Sequence, residues 1–156
     1  MKKTRSATQR VNVANAVRIG NPPASPVLVR DVDEPVHRPL QIPGGIIFNF
    51  NGTANYPIFP VPAGKRFVIE YVSARVQLQP GQGLDQFDIW TTGGGVSLPH
   101  HMIATTQGNT GVSLVSQPVR FYADPGTLVS IFVRSTIQNV IGSGSLSLSG
   151  YLVDVA

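Results

Sequence analysis

Two adjacent histidines, His100 and His101, and the single tryptophan, Trp90, are the side chains of this sequence with the clearest capacity to bind a ligand. Imidazole nitrogens bind metals and exchange protons near neutral pH. Successive residues of a β-strand point to opposite faces, however, so adjacent histidines on a strand cannot hold one metal ion. The third histidine, His37, lies far away in the sequence. We therefore predict no metal and no other cofactor, and keep Trp90, His100 and His101 as candidate ligand-binding residues.

Two interpretations of Trp90 remain open. A lone tryptophan in an alternating strand is most often part of a hydrophobic core. An aromatic ring at the end of a β-sandwich can instead stack on a sugar ring. The second interpretation makes a glycan a possible partner.

The acidic residues do not form a pattern typical of an enzyme. Asp124 belongs to an Asp-Pro-Gly-Thr sequence that favours a turn. Glu70 is the one acid that we predict to be buried, and the structural interpretation is an ion pair with a basic residue. Its candidate partners are Lys65, Arg66, Arg75 and Arg120. Because cysteine is also absent, which excludes a cysteine nucleophile and thiolate metal sites, we predict that the protein is not an enzyme.

The longest strand-like run follows a Val-Pro-Ala-Gly turn and extends from residue 66 to residue 79. Its larger apolar residues occupy odd positions up to Tyr71 and even positions from Val72 onward. Because side chains alternate between faces, this phase change predicts either a bulge or a strand whose two halves belong to different sheets. We predict a second phase change at Gly150, in the last strand. Alternatively, residues 67–72 are buried on both faces.

Similar apolar runs recur along the chain, separated by turn signals roughly every 8 to 15 residues. The 16 glycines and 13 prolines punctuate these runs, and no segment has the period of a helix. Pro99 predicts an edge position for the strand that carries the two histidines. The pattern predicts an all-β protein, a two-sheet antiparallel sandwich that is jelly-roll-like in topology, with an N-terminal extended proline-rich arm.

Three regions follow from composition. Residues 1–10 contain four basic residues and no acid, and we predict a basic disordered tail. Residues 11–43 include six prolines after position 20 and predict an extended arm with one or two short strands. Residues 44–156 form the predicted sandwich. Four cations are few for a nucleic-acid arm, so nucleic acid is not an expected partner. Neither a signal peptide nor a transmembrane segment is visible.

Three segments resemble a group of small uncharacterised bacterial proteins that are often predicted to be secreted or surface proteins. The segments are residues 26–33 (Pro-Val-Leu-Val-Arg-Asp-Val-Asp), residues 61–74 (Val-Pro-Ala-Gly-Lys-Arg-Phe-Val-Ile-Glu-Tyr-Val-Ser-Ala) and residues 149–155 (Ser-Gly-Tyr-Leu-Val-Asp-Val). The resemblance implies no activity and no site residues. It implies export, although this chain shows no leader.

The functional prediction is a non-enzymatic structural or interaction protein that forms a homo-oligomer through its N-terminal arm. The arm mixes valine and leucine strands with prolines, a surface that a small domain alone would not cover. The first alternative is a carbohydrate-binding module of the jelly-roll lectin type that uses Trp90. The second is a virion or capsid-type structural protein.

Overall fold

The computed structural model describes residues 38–155, apart from the side chain of Arg38. This part of the chain forms nine β-strands and contains no helix, so no described helix is long and apolar enough to cross a membrane. The strands are β1 (Arg38–Ile47), β2 (Thr53–Pro60), β3 (Lys65–Gln77), β4 (Leu84–Gly93), β5 (Val96–His101), β6 (Thr105–Thr106), β7 (Val112–Ala123), β8 (Leu128–Ser135) and β9 (Ser143–Asp154). The all-β prediction is confirmed.

The strands form two antiparallel sheets in the order of a jelly roll. The first sheet has the order β1-β9-β3-β7-β6, and the second has the order β2-β8-β4-β5. The pairs β4–β5, β3–β7, β2–β8 and β1–β9 are nested, as in one long hairpin whose tip is the β4–β5 turn. Rolling up this hairpin places β9 beside β3 and β8 beside β4. The predicted antiparallel sandwich with jelly-roll topology is confirmed.

The hydrophobic core lies between the two sheets because each strand turns alternate side chains inward. The first sheet contributes Phe67, Ile69 and Val72, and the second contributes Phe87 and Ile89, all of them buried. Phe59 at the end of β2 packs edge-to-face on Phe67, with ring centroids 5.4 Å apart. The core therefore spans both sheets and stabilises them as one unit.

The predicted phase change in β3 is a bulge. Ile69 pairs with Gly150 of β9 and Tyr71 pairs with Ser149, so Glu70 is an extra residue in β3. The register with β7 also shifts between Ile69 and Tyr71. Because β3 remains in the first sheet on both sides of the bulge, the alternative of a strand shared between two sheets is wrong.

The predicted phase change at Gly150 is wrong. Leu146 and Leu148 are buried and Leu152 packs against the same core, so β9 keeps one phase throughout. Its pairing with β1 also runs through Gly150 without a shift. The glycine serves a different purpose, because a Cβ at this position would lie 1.9 Å from the carbonyl oxygen of Val68 in β3. Gly150 allows β9 to approach the bulge of its neighbour.

Prolines within strands occur on edge strands or beside bulges, where a missing N–H costs no ladder hydrogen bond. Pro99 lies in β5, which is an outer strand of the second sheet, so the predicted edge position is confirmed. Pro118 lies opposite Tyr71 at the bulge, and the apolar segments on either side of it, 112–115 and 119–123, belong to the single strand β7.

The first strand crosses the predicted boundary between arm and sandwich at residues 43 and 44. Strand β1 begins at Arg38 and pairs with β9 over its whole length, including Pro39 and Pro43. These prolines are compatible with β1 because it is an outer strand of the first sheet. The predicted tail and the rest of the predicted arm, residues 1–37, lie outside the described residues.

Candidate functional site

The β4–β5 hairpin positions all three candidate residues. In its register Trp90 pairs with Pro99, Ile89 pairs with His100, and Asp88 pairs with His101. Since paired residues share a face, His100 lies on the core side with Ile89, and His101 lies on the outer side with Asp88. The prediction that the two histidines point to opposite faces is confirmed.

His100 is half-buried at the open edge of the sandwich. Its ring stacks on Phe121 of β7 with centroids 3.8 Å apart and planes inclined by 13°. Its Nε2 lies 2.8 Å from the hydroxyl of Thr91, which is buried. Burial lowers the pKa of His100, and the adjacent His101 lowers it further. The neutral ring therefore links the two sheets.

Asp88 and His101 form a polar pair on the outer side of the hairpin. Asp88 is fully buried, whereas the side chain of His101 is 73% exposed. His101 Nδ1 lies 2.8 Å from Asp88 Oδ1, and Gln86 Nε2 donates to Oδ2 at 2.5 Å. Because an ionised carboxylate only accepts hydrogen bonds, Nδ1 is the donor. This pairing accounts for both carboxylate oxygens of Asp88.

Trp90 is half-buried on the same outer face as Asp88 and His101. It lies between Pro99 of β5 and Ser130 of β8, and diagonally across the ladder from His101. Trp90 and His101 are therefore neighbours, while His100 lies on the other side of the hairpin. Glycan binding through Trp90 stays a prediction, because nothing in this arrangement favours it over a packing role.

The remaining acids of the described chain have structural partners. Asp124 accepts hydrogen bonds from Arg66 Nε at 3.0 Å and from the backbone N–H of Gly94 at 2.6 Å. Asp85 pairs with Arg134 at 2.7 Å, and Asp154 pairs with Lys65. Across residues 38–155, no three histidine, aspartate or glutamate side chains are grouped so that they could hold a metal ion.

Glu70 is half-buried at the bulge and lies within electrostatic reach of Arg120. The hydrogen bond from Arg120 to Tyr151 is the main cause of a raised pKa at Arg120, and the charge of Glu70 contributes in the same direction. Arg120 was one of the four predicted partners of Glu70. The most buried acid, however, is Asp88 and not Glu70.

A hollow of about 170 Å³ opens between the edge strand β5 and strand β7. Its floor includes the stacked rings of His100 and Phe121. Its rim carries Val96, Leu98 and Tyr122, which are 55%, 55% and 46% exposed. We call this depression the β5–β7 hollow. Thr91, Gly93 and Arg120 complete its lining, and its surface is mostly apolar.

Comparison with known proteins relates the chain to virus particles by fold alone. No protein-family model and no curated protein matches the chain. A chain of the cyanophage Pam1 capsid asymmetric unit is 10% identical and has a TM-score of 0.50, over 85% of this chain and 98% of that one. A virus-like particle of the giant freshwater prawn (Macrobrachium rosenbergii) extra small virus is 12% identical over 99% of this chain and 97% of that one, with a TM-score of 0.33.

The cyanophage likeness shows a shared fold, and the prawn-virus score is too low to support an argument. Neither comparison concerns the resemblance to small bacterial proteins, which stays a prediction.

Proposed function

We propose that this chain is a non-enzymatic structural protein that assembles with copies of itself into a shell, as a capsid-type subunit. The jelly-roll strand order carries the proposal, since a chain of the Pam1 capsid structure has the same fold over nearly its whole length. Jelly rolls also occur in lectins and cupins, so the fold alone is a weak argument for function. The surface of the sandwich supplies the additional support.

The charge of the sandwich is suited to self-association. Residues 38–155 contain six Lys and Arg against five Asp and Glu, a formal net charge of +1. Most of these charges are used in pairs within the subunit, such as Arg66 with Asp124 and Arg134 with Asp85. Copies of a nearly neutral domain do not repel one another strongly, which favours close contact.

The N-terminal region adds a second element to the proposal. Residues 1–37 contain six Lys and Arg against three Asp and Glu, so +3 of the chain's formal net charge of +4 lies before β1. We extend the arm hypothesis to this segment: it contacts neighbouring subunits. Four of its cations lie in the first ten residues, where they could also contact a polyanion in a salt-dependent way.

Light scattering and negative-stain electron microscopy of the full chain test the proposal. We expect particles of defined mass. The fraction of the protein that is assembled into these particles should rise with protein concentration. A chain that stays monomeric up to its solubility limit, with or without nucleic acid, would contradict the proposal.

A deletion of residues 1–37 tests the contribution of the N-terminal segment. It keeps β1, whereas a deletion to residue 43 would remove part of a strand that pairs with β9. We expect smaller assemblies from the shortened chain. Assemblies of unchanged size would contradict a contact role for residues 1–37 while leaving shell formation intact.

A further inference from the structure

Exposed apolar side chains gather at one end of the sandwich, at the end of β1 and in the β1–β2 and β8–β9 loops. Ile47, Phe50, Ile137 and Ile141 are 69%, 81%, 48% and 78% exposed, and we call these four residues the apolar tip. The two loops are held together by backbone hydrogen bonds, from the N–H of Asn139 to the oxygen of Phe50 at 2.9 Å and from Phe48 to Gly142 at 3.4 Å. The two loops therefore lie side by side at this end of the sandwich.

The fold of the subunit does not require these side chains to be apolar. Phe50 occupies the second position of a turn that is closed by the N–H of Gly52 donating to Asn49 at 2.9 Å. Polar residues are the usual occupants of such a position. With about 200 Å² for each fully exposed side chain, the tip presents about 500 Å² of apolar surface, the size of the largest apolar patches on ordinary protein surfaces, which are often functional.

The β5–β7 hollow is an apolar depression large enough for an aromatic side chain. Its volume of about 170 Å³ exceeds the roughly 150 Å³ at which an apolar protein cavity accepts a benzene ring. The stacked rings of His100 and Phe121 offer an aromatic floor, and Leu98 and Tyr122 offer an apolar rim. A phenylalanine side chain is a suitable occupant.

The tip and the hollow lie at opposite ends of the subunit. Leu84, at the start of β4, pairs with Ser135 next to the tip, whereas Gly93, at the end of β4, lines the hollow. Strand β4 has ten residues, and at about 3.3 Å per residue it spans about 30 Å. Phe50 therefore cannot enter the hollow of its own subunit.

We propose that the apolar tip of one copy, with Phe50 at its centre, docks in the β5–β7 hollow of a second copy. This inference rests on the proposed self-assembly and identifies two surfaces that produce it. A contact between different surfaces of identical subunits is heterologous, and it closes into a ring or shell when the rotation permits. At each contact the tip contributes about 500 Å² and the hollow less, which is below the roughly 800 Å² per partner of a standard interface, so a single contact is weak and assembly depends on its repetition around the ring or shell.

The test uses two charge substitutions in the full chain, Phe50→Asp in the tip and Leu98→Asp in the hollow. Because a buried charge at the centre of an interface is costly, we expect each variant to raise the concentration for half-assembly at least ~30-fold. Ile103→Asp is the matched control, since Ile103 is 72% exposed but belongs to neither surface. Circular dichroism and thermal melting establish that all three variants fold.

Mixing the two variants distinguishes this contact from other contacts. The intact tip of the Leu98→Asp chain fits the intact hollow of the Phe50→Asp chain, so we expect the mixture to form heterodimers that grow no further. Assembly of Leu98→Asp at the wild-type concentration would indicate a tip-to-tip contact and overturn the proposal. The proposal would also be overturned if neither variant assembled and their mixture formed no heterodimer, or if both variants assembled as the wild-type chain does. A monomeric wild-type chain would instead overturn the proposed function.

Discussion

Gly150 marks the place where a single added carbon should disrupt the first sheet. A Cβ at this position would lie 1.9 Å from the carbonyl oxygen of Val68 and 3.0 Å from the Cα of Ile69, both of which are backbone atoms of β3. Real Cβ atoms essentially never come within 3.0 Å of a heavy atom outside their own residue and its chain neighbours. The substitution Gly150→Ala therefore requires β9 and β3 to separate by about 1 Å.

The expected loss of stability follows from the hydrogen bonds between β3 and β9 that this separation breaks. A hydrogen bond lengthened by about 1 Å no longer contributes, and each net contribution is about 0.5–1.5 kcal/mol. Two or three such bonds lie around the pairs of Ile69 with Gly150 and Val68 with Tyr151. We expect Gly150→Ala to lower the free energy of unfolding by about 2–4 kcal/mol, or the melting temperature by roughly 5–15 °C.

Urea denaturation followed by Trp90 fluorescence measures this loss, at one fixed protein concentration because self-association would shift the midpoint. Gly45→Ala is the matched control. Gly45 lies in β1 of the same sheet, and a Cβ there would have nothing within 4 Å. We expect the control to be neutral or stabilised by up to about 1 kcal/mol. Equal losses for the two variants, or a Gly150→Ala loss below about 1 kcal/mol, would refute the steric argument.

Three further predictions concern the polar groups of the hairpin and the surface. Because burial lowers the pKa of His100, the unfolded chain takes up its proton first, and stability falls as the pH drops below about 6.5. His100→Gln should show a shallower fall between pH 7 and pH 5 in thermal melts, and an equal slope would contradict this reasoning. His101→Ala leaves the buried carboxylate of Asp88 without one of its two side-chain partners and should lower the free energy of unfolding by about 1–3 kcal/mol in urea. A double-mutant cycle with Asp88→Ala should show coupling, and strict additivity would count against the pair. Arg134→Ala removes an ion pair whose side chains are 49% and 50% exposed, so the loss in the free energy of unfolding should stay below about 1 kcal/mol. The loss should vanish in roughly 1 M salt, where the Debye length is only about 3 Å. A larger, salt-independent loss would point to packing by the arginine stem.

Alternation and turn chemistry were sufficient to predict the fold class, and Pro99 predicted the edge position of β5. Alternation also located the phase change in β3, but it did not decide between a bulge and the alternatives. The start of the sandwich could not be predicted in the same way. Pro39 and Pro43 are signs of an interrupted strand unless the strand is known to lie at an edge, and that position depends on pairing with the distant β9. Pro118 is a similar case, since the register shift beside it is seen only in the pairing of β7 with β3.

The candidate site shows where alternation stops being informative. It predicted correctly that His100 and His101 point apart. It placed Asp88 on the face opposite Phe87 and Ile89, but it does not indicate whether that face is shielded from water at a given residue. Glu70 was chosen as the buried acid because its neighbours are apolar, yet the bulge leaves it half-buried while Asp88 is fully buried. Burial on an outer face depends on residues from other strands, which a local pattern does not contain.

Residues at the ends of the sandwich are less constrained by stability than residues in its strands, so the ends are the regions where function can determine the residue type. Each interior strand is fixed by two neighbours, so substitutions such as Gly150→Ala act on stability first. Phe50 and Ile141 are about four-fifths exposed, so the subunit gains little stability from their apolar character. A large apolar side chain that the fold does not need, repeated across two loops that are hydrogen-bonded to each other, requires a reason outside the subunit. A second copy of the chain, with an apolar hollow at its opposite end, supplies that reason.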